Sequence, residues 1–248
     1  MNHKRKPQTM TDKTALVISA HSADFVWRAG GAIALHAAAG WAVTVVCLSF
    51  GERGESARLW RQGGMTLEKV KAERRREAEA AANLLGAADI QFWDLGDYPI
   101  KLDGDALFAL ADLHRAIRPA WTMSHSRIDP YNADHPAVSA FAQEARIIAQ
   151  AHGHDPATPV IGAPQVYLFE PHQPEQCHWK PNVILDISSV WDTKRAAIEC
   201  MAGQEHLWEY YTRVALQRGV QGGRNSGRPM THGEAYEAVF PSVVGTLG

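Results

Sequence analysis

An α/β fold, built on a mostly parallel sheet with helices on both faces, is what this sequence of 248 residues predicts. Two observations predict it. Short runs rich in valine, isoleucine and leucine alternate with longer segments whose apolar residues recur at helical spacing. The short runs also end in polar loops, as buried parallel strands do before a crossover helix. With no internal repeat and no low-complexity linker, residues 14–248 read as one Rossmann-like domain.

Ala15–Ser19 is the first predicted strand. An Ala-rich helix over Phe25–Ala39 follows, closed by Gly40, which tolerates the left-handed backbone of a helix end. Val43–Ser49 is a β-branched strand, and Phe50–Ser56 a glycine-rich polar loop. Thr66 is placed to cap a long amphipathic helix to Leu85, and Gly86 to stop it. Further along, Ile90–Trp93 and Ala120–Ser124 read as strands, and Asp105–Ile117 and Pro136–Ala151 as helices. Gln165–Glu170 and Asn182–Ile187 read as later strands, and Val190–Leu216 as the last helix. The Gly/Arg/Ser stretch Arg218–Pro229 composes like a mobile segment, so a C-terminal arm is expected over about 218–248. Residues 1–13 are polar and basic and read as a disordered extension.

A net charge of −2 gives no electrostatic reason to expect nucleic acid or an anionic membrane as partner. Cys47, Cys177 and Cys200 are odd in number and form no C-x-x-C pair, which fits a reducing cytoplasm better than a disulfide framework. No apolar stretch reaches the roughly 18 residues of a membrane span.

The first strand stops at small residues and delivers His21 and Asp24 to the rim of the sheet. A His-x-x-Asp pair alone is a weak signal, because a loop histidine and a helix-capping aspartate look the same. A second loop, from Ser124 to Pro136, also lies between a strand and a helix and ends in His135. Parallel strands put such loops at one edge of the sheet. Two imidazoles and a carboxylate would make a three-ligand site, zinc being the metal that accepts both donor types, with a position left for water or substrate. Asp134 is placed to hold a ligand imidazole by its other ring nitrogen.

These motifs resemble those of the PIG-L/LmbE-like zinc proteins, best known as N-acyl sugar deacetylases. The family's A-H-P-D-D-E stands here as Ala20-His21-Ser22-Ala23-Asp24-Phe25, and its H-P-D-H as Asn132-Ala133-Asp134-His135. Gly51-Glu52-Arg53-Gly54 and Glu73-Arg74-Arg75-Arg76-Glu77 extend the likeness over roughly Thr14 to Ala151. The resemblance implies zinc held by His21, Asp24 and His135. It also exposes two departures. Ala23 stands where the deacetylases carry their general base, and Asn132 where they carry a histidine that stabilises the tetrahedral intermediate. Asparagine can donate a hydrogen bond but cannot carry the proton. Amide hydrolysis needs both functions.

Segments over nearly the whole chain resemble hydratases within that family that act in gallate degradation. They include His21–Gly31, Ser49–Ser56, Phe169–Gln176 and Met201–His206. The implied reaction is addition of water to an unsaturated oxo-tricarboxylate in a homo-oligomeric enzyme. The alternatives are a zinc-dependent N-acyl deacetylase with a displaced base, and a zinc-binding relic without activity. For hydration, Glu52 and then Glu55 are the expected bases, since both follow the second strand, and His172, bracketed by Pro171 and Pro174, is the expected proton shuttle. A substrate with about three negative charges needs local cations. Arg28, Arg53 and Arg127 are the arginine candidates, with Arg58, Arg224 and Arg228 behind them; Asn132 and His125 complete the expected substrate contacts. The Arg74–Arg76 run reads as charged helix surface.

Overall fold

The computed structural model describes residues 13–243 and 245. The expected N-terminal extension falls, but for Lys13, outside them. Seven strands form one sheet in the order β3-β2-β1-β4-β5-β7-β6. The strands are β1 (Thr14–Ser19), β2 (Ala42–Cys47), β3 (Asp89–Phe92), β4 (Trp121–Ser124), β5 (Gln165–Phe169), β6 (Val183–Asp186) and β7 (Gly233–Ala238). The first five are mutually parallel, whereas β7 runs antiparallel to both β5 and β6.

Side-chain alternation along β1 builds both halves of the core. Ala15 and Val17 face a layer formed by α1 (Asp24–Ala38), α3 (Leu67–Leu85), α6 (Trp191–Glu199) and α7 (Trp208–Ser226). Leu16 and Ile18 face α4 (Gly104–Ile117) and α5 (Asp134–Ala149). The short helix α2 (Ala57–Trp60) lies in the β2–α3 connection. Helix ends follow local chemistry: the Thr66 hydroxyl accepts from Lys69 N at 3.3 Å, and Gly86 ends α3 with φ 76°. No helix among the described residues is long and apolar enough to cross a membrane.

The C-terminal third departs from the sequence reading. The expected helix over Val190–Leu216 is broken into α6, a 3₁₀ segment over Ala202–Leu207, and α7, which continues to Ser226. The expected arm is instead the end of α7 followed by β7, which sits inside the sheet. Its sequence, Gly-Glu-Ala-Tyr-Glu-Ala, is too polar to announce a central strand. Glu234 is nevertheless buried, because its carboxylate accepts from Gly31 N (2.7 Å), Ala32 N (2.8 Å) and Lys194 Nζ (2.6 Å).

Candidate metal centre

Chain order reverses between β1 and β4, which are adjacent in the sheet. Open α/β sheets bind ligands at such a switch point, beyond the carboxyl ends of the strands. His21 arrives there from the β1–α1 turn and Asp24 from the start of α1, Glu55 from the β2–α2 loop, Asp129 and Asn132 from the β4–α5 connection, and His135 from the first turn of α5. Gly51 lets the β2 loop come this close. Its φ is +67°, and a Cβ there would stand 3.2 Å from the Cβ atoms of both His21 and Glu55.

His21, Asp24, Glu55 and His135 converge, with one donor atom from each lying within 4.8 Å of the others. His21 Nδ1 is 3.2 Å from Asp24 Oδ2 and 3.2 Å from Glu55 Oε1. His135 Nε2 is 3.5 Å from Asp24 Oδ1 and 3.9 Å from Glu55 Oε1. Both nitrogens are buried without a hydrogen-bond partner, so the imidazoles aim bare donor atoms at one point. Their far sides are held. His21 Nε2 is 3.2 Å from Asp134 Oδ2, and His135 Nδ1 is 2.8 Å from Asp129 Oδ2. An imidazole oriented by a carboxylate behind it, with the other nitrogen bare, is the arrangement of a metal ligand. Two nitrogens and two carboxylate oxygens at hydrogen-bonding separations fit a divalent cation such as zinc.

The electrostatics agree. Burial alone would lower the basicity of His21, but Glu55, Asp134 and Asp24 outweigh it and raise its pKa well above the usual value. Burial would raise the Asp24 carboxyl, yet the His135 and His125 imidazoles hold it well below the ordinary range. Such a buried acidic cluster calls for positive charge at its centre.

Other expected residues divide. Arg28, Asn132 and His172 line the cavity over the cluster, together with Trp27, Tyr98, Tyr131 and Tyr211. Asn132 Nδ2 donates to Glu55 Oε1 at 3.1 Å. Arg28 Nε lies 3.6 Å from Asp24 Oδ1 without a hydrogen-bond partner. His125 is fully buried behind the cluster, stacked on His135 at 4.2 Å; its Nε2 accepts from Ala20 N at 2.9 Å. That placement supports the ligands and does not offer the ring to a substrate.

Three expectations are corrected. Glu52 is buried, but its carboxylate accepts from Phe50 N at 3.2 Å and faces Arg53, so it folds its own loop and does not line the cavity. Arg53 turns toward Glu52 and Asp97 with half its side chain in solvent. Arg127 is likewise half exposed and pairs with Glu237 at 2.6 Å. Of the arginines held in reserve, Arg58 pairs with Glu205 at the surface, and Arg228 lines a separate groove with Asp186 and Met230. Asp134 serves His21 and not its neighbour His135, because consecutive helical residues do not face each other. Asp129 carries no sequence signal of its role; it stands six positions before His135, and only the loop's path brings them together.

Residues 16–146 match the PIG-L family, described as GlcNAc-PI de-N-acetylase. The chain is 62% identical to a 4-oxalmesaconate hydratase of Pseudomonas putida, over 99% of this chain and 97% of that relative. It is also similar to the crystal structure of GalB from the same organism, described as 4-carboxy-2-hydroxymuconate hydratase. There the TM-score is 0.93 and the identity 64%, covering 95% of this chain and all of that one. The fold further matches N,N'-diacetylchitobiose deacetylase from Pyrococcus horikoshii, with TM-score 0.77 and 23% identity over 92% of this chain and 84% of the other.

Proposed function

The chain belongs to the PIG-L family, and we propose that within it the protein is a zinc-dependent hydratase of 4-oxalomesaconate, giving 4-carboxy-4-hydroxy-2-oxoadipate. One observation carries this reading: likeness over essentially the whole chain to a Pseudomonas putida relative and a Pseudomonas putida crystal structure, each described as a hydratase. The two descriptions name the keto and enol tautomers of one unsaturated tricarboxylate, so both describe water addition to the same carbon skeleton.

Zinc bound by His21, Asp24 and His135 would supply Lewis acidity toward an oxo or enol oxygen. The protein's own groups have to handle the protons. Burial would raise the Glu55 carboxyl, but His21 lowers it, so the group stays ionised. With Asn132 orienting it, Glu55 is suited to take a proton from water as the water oxygen bonds to carbon. The base therefore comes from the β2 loop, whereas position 23 is an alanine sealed in the core.

His172 is suited to deliver a proton to the neighbouring carbon. Burial first, and Arg28 second, lower its pKa, so the free imidazole is neutral near pH 7. An arriving trianion favours its protonated form, and the ring is then an acid beside the double bond. Arg28 remains cationic despite burial, because a guanidinium keeps its proton in a protein and the carboxylates of Asp24, Asp129 and Glu55 favour its charge, and it is the guanidinium available to a substrate carboxylate.

The test is direct. Purified, zinc-loaded protein should bleach the absorbance of 4-oxalomesaconate and yield the hydroxylated product by NMR. Unchanged absorbance with full metal loading would end the hydratase reading. Release of acetate from N-acetylglucosamine would replace it with the deacetylase.

A further inference from the structure

We propose that Gln204 donates its side-chain N–H to a carboxylate of the substrate, and that Arg74 and Glu77 are positioning residues that fix the direction of that donor. This rests on the hydratase reading for the nature of the substrate.

The run Glu73–Glu77 looks like solvated helix surface, and Arg75 and Arg76 are exposed. Arg74 and Glu77 turn inward, and Arg74 is the largest fully buried side chain among the described residues. Arg74 Nη1 donates to Glu77 Oε2 at 2.7 Å. Its Nη2 donates to Gln204 Oε1 at 2.7 Å, and the other oxygen of Glu77 accepts from Gly203 N at 2.7 Å. A buried ion pair is a poor source of net stability, so its attachments are informative. Here both partners grip two consecutive residues of the 3₁₀ segment. The grip is close: a Cβ on Gly203 would stand 3.1 Å from Arg74 Nη1. At Gln204 the backbone leaves helical geometry, with φ −127° and ψ 36°.

A guanidinium has donors only, so the amide oxygen of Gln204 must face Arg74 and the amide nitrogen must face elsewhere. Gln204 lines the cavity over the metal cluster. No acceptor among the described residues takes a hydrogen bond from Nε2, and that atom is not among the sealed, unpartnered ones. Among the lining residues Arg28 is the one guanidinium or ammonium and Asp24, Glu55 and Asp129 are acidic, so a further contact to an anion has to come from a neutral donor. A freely rotating amide can present either its oxygen or its nitrogen to the cavity. The Arg74 lock removes that choice.

The test uses full-length, zinc-loaded enzyme and compares wild type, Gln204→Leu, Gln204→Glu and Arg74→Lys. Steady-state kinetics are paired with calorimetric binding of the hydroxylated product. Gln204→Leu should raise KM and the product Kd by about 10- to 100-fold, the usual loss for a hydrogen bond to a charged group, with kcat changed by less than about threefold. Gln204→Glu keeps an acceptor for Arg74, so it should fold, and it should raise KM at least as far through charge repulsion. Arg74→Lys should move KM in the same direction with metal content retained. Unchanged KM and Kd in both Gln204 variants would overturn the assignment of Gln204. A change confined to thermal stability in Arg74→Lys would overturn the positioning role. Wild type that neither turns over nor binds the product would instead strike the hydratase reading itself.

Discussion

Two kinds of buried histidine pack around the same sheet and do opposite things. His21 and His135 stand at the carboxyl ends of β1 and β4, each with one nitrogen bare and the other held by a carboxylate. His114 lies in α4, equally buried, but its Nδ1 donates to Leu110 O at 2.9 Å and its Nε2 accepts from the Thr122 hydroxyl at 3.4 Å. Burial pushes its pKa down to about 4, so the ring is a neutral structural element. Burial alone therefore says little about function. The partners decide: carboxylates with unsatisfied nitrogens make a cation site, whereas a carbonyl and a hydroxyl make a packed core histidine.

The comparison breaks most sharply at the ligands. His135→Ala should abolish stoichiometric zinc, read by elemental analysis. Asp129→Asn should weaken affinity only by about 10- to 100-fold, the usual effect of removing a carboxylate behind a ligand imidazole. Equal retention of metal in both would show that His135 is no more a ligand than His114.

Next in size is Glu55→Gln. Removing a general base costs about 10²–10⁴ in kcat, and the variant should keep its zinc if Glu55 is the base and His21, Asp24 and His135 are the ligands. Loss of metal along with rate would make Glu55 a fourth ligand.

The smallest effect belongs to His114. Its folded pKa of about 4 lies below the ordinary 6.5, so the unfolded chain takes up the proton first as pH falls. Its contribution is complete above about pH 6.5 and is lost progressively toward pH 4, amounting to about 3 kcal/mol. Chemical denaturation of His114→Phe should show a flatter stability profile than wild type over that window. Parallel profiles would remove His114 from the acid sensitivity of the fold.

How far the site could be read from sequence depended on how local its signals are. His21 and Asp24 were legible because an apolar run ended beside them, and His135 because parallel strands share an edge. Glu52 and Glu55 were not separable, since they lie three residues apart in one loop. Only the turn at Gly51 sends one carboxylate back to Phe50 N and the other to His21. Arg74 belongs to a run that resembles the family's, yet nothing in the sequence marks it as buried, because a charged residue amid charged neighbours looks solvated until its partners Glu77 and Gln204 are placed around it.

The sequence by itself determined the alternating α/β order of the first five strands, the caps of α3 and the loops that bring ligands to the switch point. These rest on periodicity and turn chemistry within a few residues. Tertiary structure decided the insertion of β7 and the burial of Glu234 and Arg74. It also decided which carboxylate stands behind each imidazole. Those outcomes depend on groups up to about two hundred positions apart, as between Gly31 and Glu234, and a buried charge becomes tolerable only when its partners arrive.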